Sequence, residues 1–409
     1  MRAPVLTESD GDLLSTTTIE HPHDFYKRLN LHKPLARIGD TGVHMVSSWA
    51  LIDDVLHREQ DFSANLTGVL VVDEQGVPAA FDLPPSDGTR VIATADNPRH
   101  EVHRRLLQAY FTPSAVSQFE PFVTSAVNTE LASVVSSGGG DLVPVCERVP
   151  ALVVARLLGL PEEDVEHFRT WAMMGGDMLA GIVSADTMGF LAAETARMSD
   201  YIGRYLDDAP ALNSVHVTVP LLSVLKDSVG RGDVTRGEAL GIAIVLFGAG
   251  GESTAALMAS SIKRLAEDDD LSNTLRKTPS LIPRFVEEIV RLETPFKFHY
   301  RAVRTDCNLA GFDLQHGDRL MLMWAAANRD PASLKLPEQL QLDRKHPKTH
   351  MGFGRGLHFC IGAVLARLEA RLLIEHLLAS SKQLVLEDHG WQYAPSIFIR
   401  RLEKLRIGL

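Results

Sequence analysis

Thirteen consecutive residues from Ala239 to Gly251 carry no charge, and Thr235 and Glu238 ahead of them form a Thr-x-x-Glu capping box. The box opens a helix that the apolar pattern carries to Ala266, roughly nine turns. At ~1.5 Å per residue the uncharged run is too short to cross ~30 Å of hydrocarbon, so protein must cover it. A helix that is apolar on most faces belongs in the middle of a large body. The rest of the chain supplies one, with helical periodicity over Leu142–Leu158, Pro161–Ala172, Phe190–Leu206 and Ile361–Ser380. Strand-like runs are short: Val43–Val46, parts of Leu309–Met323, and Ser396–Ile407. The expected fold class is mainly α (α-rich α+β), with a minor sheet set to one side. No linker or repeat divides the 409 residues. A single domain over 1–409 is therefore expected, its β-rich part mostly in 20–65, 295–325 and 385–409.

Composition narrows the classes of function. A formal charge of −11 opposes nucleic-acid binding. Three cysteines in so long a chain argue against a disulfide framework and for a reducing compartment. The polar N-terminus shows neither a signal-peptide core nor a membrane anchor, which points to a cytoplasmic protein.

Two segments break the rules of a plain core. At the middle of the apolar helix, Ala249-Gly-Gly-Glu-Ser-Thr254 places two helix-weakening glycines, a carboxylate and two hydroxyls. Each interior glycine costs ~1 kcal/mol relative to alanine, and an isolated buried carboxylate costs more. Such a stretch serves a ligand. The second segment is Met351-Gly-Phe-Gly-Arg-Gly-Leu-His-Phe-Cys-Ile-Gly362, where a glycine-rich loop sets Cys360 directly before an amphipathic helix. The N–H groups of that helix point back at the sulfur and favour a thiolate, which needs a metal or an electrophile. Zinc wants three or four ligands, and Cys146 and Cys307 stand alone, so a His358–Cys360 pair is a poor zinc site.

The loop resembles the haem-binding loop of the cytochrome P-450 family, Phe-Gly-x-Gly-x-(His/Arg)-x-Cys-x-Gly, at Phe353, Gly354, Gly356, His358, Cys360 and Gly362. The helix segment resembles that family's oxygen-activating motif, Ala-Gly-x-(Asp/Glu)-Thr, with Ala249 at its start, Glu252 on the acid and Ser253 on the alcohol. Serine here replaces the usual threonine and lacks the methyl that restricts its rotamer. Thr254 is expected to point about 100° away. Glu288-Ile-Val-Arg291, with Thr294-Pro295 and Ala327-Asn-Arg-Asp-Pro331, resembles the family's buried Glu-x-x-Arg pair. Its implied role is structural, with Arg329 and Arg344 as candidate partners.

The resemblance runs in family order from about Pro22 to Leu409 and implies the cytochrome P-450 fold. Haem b would lie between the long central helix and the cysteine helix, with iron ligated by Cys360. His100, Arg104, Arg301 and His358 match its propionate contacts, permanent arginine charges suiting that task. His103 and Arg105 read as an exposed basic face. The implied activity is a monooxygenase that takes O2 and two electrons, sends one oxygen atom to water and inserts the other into a lipophilic substrate. Candidate substrates are a terpenoid, steroid, fatty acid or aromatic. A haem-thiolate peroxygenase or isomerase would not need Glu252. A haem sensor or electron-transfer protein would need no substrate loop.

The resemblance sets the pocket wall at Phe247, Gly248, Ala249, Phe296, Lys297, Phe298, Ile397 and Phe398, with Val69–Phe81 and Met173–Leu179. Lys297 is a candidate for a substrate carboxylate. With no flavin or iron–sulfur domain, electrons are expected from a ferredoxin and its NAD(P)H-dependent ferredoxin reductase. A basic docking face is expected from Arg104, Arg105, Arg344, Lys345, Lys348, Arg355 and Arg367. The chain is expected to be a bacterial protein and a monomer.

Overall fold

In the computed structural model, which describes residues 1–7, 12–72, 77–83, 90–181, 185–212 and 219–409, the central helix runs from Arg236 to Ala266. Both halves of its capping box form: Glu238 N–H donates to Thr235 Oγ1 at 3.1 Å, and Thr235 N–H donates to Glu238 Oε2 at 2.7 Å. Helices Val143–Leu158 and Val165–Met178 pack against one side, and Ile282–Glu293 with the cysteine helix, Ala363–Ser380, against the other. This is the only described helix long and apolar enough to cross a membrane, and here it is the buried core.

Its glycines let neighbours approach. A Cβ on Gly251 would stand 2.5 Å from Ala172 Cβ, and one on Gly250 would stand 2.9 Å from Val154. The helix is continuous through both. The same economy extends Val165–Met178 beyond the expected end at Ala172, because Gly176 packs directly on the Glu252 carboxylate.

The main sheet has five strands in the order Leu35–Arg37, Val43–Val46, Arg319–Leu322, His299–Val303 and Phe62–Ser63. The Arg319 strand runs parallel to Val43–Val46 and antiparallel to His299–Val303, with Leu320 opposite Arg301. The run expected over Leu309–Met323 divides into pieces, Cys307–Leu309, Phe312–Leu314 and Arg319–Leu322, because Gly311 and Gly317 turn the chain at positive φ. A three-stranded sheet joins Val385–Tyr393, Leu402–Gly408 and Gly139–Asp141.

The segment Asp61–Pro98 holds a hairpin of Gly68–Val72 and Pro78–Asp82. Arg319 anchors it, with Nε donating to Thr67 Oγ1 at 3.1 Å and Nη2 paired to Asp82. Residues 73–76 and 84–89 of that segment lie outside the described residues.

Candidate active site

Cys360 ends the glycine loop, its N–H donating to Phe353 O at 2.9 Å. Gly354 and Gly356 sit at φ +68° and +71°, where a side chain would be strained. Gly352 has a different reason: a Cβ there would stand 2.5 Å from Val290. Gly362 faces Cys360 Sγ, and Phe353 lies under the Arg367 guanidinium at 4.4 Å. Cys360 is exposed where it opens onto a cavity of about 220 Å³. Burial raises its thiol, against the lowering effect of the Gly362 and Ala363 N–H groups and of Arg367 and Arg104. A cation bound at the sulfur would favour the thiolate against this burial.

At one edge of the cavity polar groups lack partners. Both ring nitrogens of His100 and Nδ1 of His358 are buried without a hydrogen bond, their rings 4.2 Å apart. Burial, then the charge of Arg301, lowers His358 to about 3; burial, then Arg104, lowers His100. Among the described residues Arg301 donates only to Tyr300 O, and burial pulls its guanidinium down to about 10. A buried cation without a carboxylate is costly. This edge fits an incoming dianion, as the propionates of haem would be. Arg104, also on the cavity, donates to Phe359 O at 2.9 Å. His103, read as surface, is buried between Glu238 (3.3 Å) and Ile92 N–H.

Opposite Cys360 the cavity is lined by Ala249, Gly250, Ser253 and Thr254 of the central helix. The Ser253 hydroxyl donates to Ala249 O at 2.6 Å. Thr254, expected to point away, lines the cavity beside it. Glu252 does not: Gly176 N–H donates to its Oε2 at 2.7 Å, and Arg401 Nε to its Oε1 at 3.1 Å. Arg401 continues to Asp177 at 2.7 Å, which is partly exposed. Burial, against Arg401, pushes Glu252 up to about 8. A second acid, Glu369 on the cysteine helix, does line the cavity. Its Oε2 has no partner, and burial raises it well above the ordinary range. Reasoning from the sequence missed it because a lone Glu inside an amphipathic helix reads as a solvent-facing charge.

Of the expected wall, Ala249 and Phe296 line the cavity. Phe247 turns into the core against Phe168, 5.4 Å between centroids. A side chain at Gly248 would meet open space. Phe298 packs edge-on to Tyr300 and Phe398, and Phe398 lies tilted against Phe296 at 4.9 Å, forming a layer behind the wall. Ile397 packs against Gly181, its N–H donating to Ala180 O. Lys297 is buried away from the cavity with Nζ donating to Ser396 O at 2.6 Å, and burial drives its ammonium far below the ordinary value. Met173 and Met174 belong to the core, as does Val69 to a second cluster.

The sequence is 34% identical to cytochrome P450 144 of Mycobacterium tuberculosis over 394 residues, 96% of this chain and 90% of that one. The chain is a cytochrome P450. The cytochrome P450 family model matches residues 262–388. Vitamin D(3) 25-hydroxylase of Pseudonocardia autotrophica is 28% identical over 404 residues, 97% of this chain and 96% of that one. Among solved structures, P450BioI in complex with an acyl carrier protein ligated to hexadec-9Z-enoic acid superposes with a TM-score of 0.84 at 25% identity, covering 97% of this chain and 100% of that one. A Bacillus megaterium P450 in complex with testosterone gives 0.83 at 27%, covering 96% and 99%. This P450 is thus an oxidoreductase of the monooxygenase class, in a family whose cofactor is haem with a cysteine-ligated iron.

Behind the cysteine loop of this P450, Glu288 and Arg291 are fully buried and paired twice, at 2.9 and 2.8 Å. Arg344 joins through Nε at 2.9 Å. Arg329 does not; it pairs with Glu338 and donates to Leu292 O. Arg291 also donates to Asn328 O at 3.1 Å, and Asn328 Oδ1 accepts from Met351 N–H at 2.6 Å. The pair thus reaches the first residue of the loop. Several cations of the expected docking face are spent internally: Arg344 on Glu288, Arg367 on Glu287 at 2.7 Å, Arg355 on Asp53 at 2.6 Å. Lys345 and Lys348 are exposed with no ion pair among the described residues, and Phe359, next to Cys360, is 41% exposed.

Proposed function

We propose that this P450 hydroxylates a lipophilic small molecule, with Cys360 as iron ligand and His100, Arg104, Arg301 and His358 receiving the propionates of haem b. The observation that carries this reading is Cys360 open on a cavity lined also by Ser253 and Thr254, whose edge carries two arginines and histidine nitrogens with no partner among the described residues. Bound there, haem supplies reductive activation of O2 at a thiolate-ligated iron.

The chain's own residues control protons and water. The hydroxyls of Ser253 and Thr254 are the donors nearest the reacting space. Ser253 is held by Ala249 O, and its release from that carbonyl would open both groups to a bound molecule. Glu252, through Arg401 and Asp177, links the central helix to the surface, while Glu369 presents a protonated acid to the cavity itself. The lining by Leu246, Val245, Phe296 and Val154 favours an apolar substrate. Relatives named for steroid and vitamin D(3) hydroxylation support that class. Electrons are supplied by a ferredoxin and its reductase, docking around Phe359, Lys345 and Lys348.

The test is the absorption spectrum of the reduced holoprotein under carbon monoxide. The long-wavelength Soret band of a thiolate-ligated carbonyl complex is expected, and its loss in Cys360→His. A short-wavelength band in the native protein would remove Cys360 as ligand, and absence of haem would remove the reading. The expected band followed by oxidation with peroxide alone, unaffected by Glu252→Gln, would favour a peroxygenase.

A further inference from the structure

His299 lies on the cavity between its apolar wall and its cationic edge, two residues before Arg301 on the same strand. Trp324 Nε1–H, which can only donate, gives its hydrogen bond to His299 Nδ1 at 2.8 Å. In the neutral ring this places the proton on Nε2. Burial, then Arg301, lowers His299 to about 4, so the ring is neutral over the working range. Its orientation is fixed by Phe296 at 5.6 Å and Phe398 at 5.7 Å, both edge-on, besides Trp324. Nε2 has no partner among the described residues. The molecule therefore holds one oriented N–H donor on a largely apolar cavity, and its own structure does not use it.

We propose that His299 is a specificity-determining residue whose Nε2–H binds an acceptor oxygen, a carbonyl or ether, on the lipophilic substrate, with Trp324 as the positioning residue that fixes the tautomer. A donor held in place before binding loses little freedom on binding, and a hydrocarbon that covers it leaves it unpaired. Substrates carrying an oxygen at the matching distance are thereby selected over their deoxygenated analogues. Arg301 and Arg104 already supply a cation for each of two carboxylates, and His100 and His358 add neutral ring nitrogens beside them, so His299 is surplus to the propionates. This inference rests on the monooxygenase reading, and the carbon monoxide spectrum of the same preparation tests that reading separately.

The experiment titrates the ferric holoenzyme with matched ketone and hydrocarbon pairs, following displacement of water from iron by the spin-state change in absorbance. The pairs are androstan-17-one with androstane, 2-tridecanone with tridecane, and menthone with menthane. At least one ketone is expected to bind about tenfold more tightly than its hydrocarbon, the weight of one neutral hydrogen bond. His299→Phe is expected to erase that preference while leaving hydrocarbon affinity within about twofold. His299→Gln, which retains an N–H donor, should restore part of it, and Trp324→Phe should weaken it. No ketone preference in any pair, or a preference that survives His299→Phe, overturns the proposal. Faster haem loss in His299→Phe with the ketone preference intact overturns it too, and would assign the ring to a propionate.

Discussion

Two clusters of buried polar groups flank the cysteine loop, and they are finished to different degrees. Around Glu288, each acid oxygen and each guanidinium nitrogen that can bond does so: Arg291 and Arg344 hold the carboxylate, and the carbonyls of Asn328, Pro337 and Gln339 take the remaining N–H groups of Arg291. Around Arg301, on the cavity edge, among the described residues His100 has no hydrogen-bond partner, His358 Nδ1 none, and the guanidinium only one carbonyl. Both clusters are buried, so solvation does not separate them. What separates them is closure. A closed network specifies a fold and asks for nothing more, whereas an open one at a cavity is a site waiting for its counterpart.

The comparison is broken most forcefully by Arg291→Ala. Removing one partner leaves Glu288 charged and buried, and ~3–5 kcal/mol of stability should be lost in urea unfolding. A loss under ~1 kcal/mol would mean that the closed cluster is not scaffold. Arg301→Met should act oppositely on the two forms of the protein. The apoprotein should be as stable as native or more so, because the guanidinium makes no ion pair among the described residues, while transfer of haem to a scavenger protein should accelerate ~10-fold or more. Equal destabilisation of both forms would place Arg301 with the scaffold.

Glu369→Gln sharpens the contrast through pH. The folded acid titrates well above its unfolded value, so the folded state binds the extra proton and native stability falls as pH rises above the unfolded range. The variant lacks that dependence. Its stability advantage should be small near pH 4 and grow with a limiting slope of ~1.4 kcal/mol per pH unit, read as a widening gap in Tm. A gap independent of pH would show that Glu369 is charged in the native protein. The smallest effect is at the surface. Lys348→Glu should slow reduction by ferredoxin ~2- to 5-fold at low salt, with the difference vanishing as salt screens it. Arg344→Glu should instead unfold the protein, since its charge is turned inward to Glu288.

Much of this was legible in the residues. The capping box, the apolar central helix and the cysteine helix were readable because periodicity and caps are local properties. The spacing of Glu288 and Arg291 allowed a pair and the family resemblance gave it a role, but Arg344 rather than Arg329 as the third member depended on where a distant loop folds back. The hairpin Gly68–Val72 with Pro78–Asp82 escaped notice because its five-residue apolar run has no alternation, and its anchor, Arg319, is distant in sequence. Among pocket residues, Phe296-Lys-Phe298 was expected in the wall as a segment, but only Phe296 lines the cavity, with Phe298 packed behind it on Phe398.

What the sequence determined by itself is the chemistry available. It dictated one cysteine before a helix and one interrupted apolar helix, because these depend on residue type and near spacing, while the cations for a dianion were implied by the family resemblance. What only the tertiary structure decided is direction. Glu252 turns to Arg401 and Asp177, Lys297 to Ser396, and Thr254, Glu369 and His299 to the cavity. The physical reason is that a helix or strand sets the relative angle of its own side chains but not the absolute one. That angle is fixed by the partners that burial provides, and they come from far along the chain.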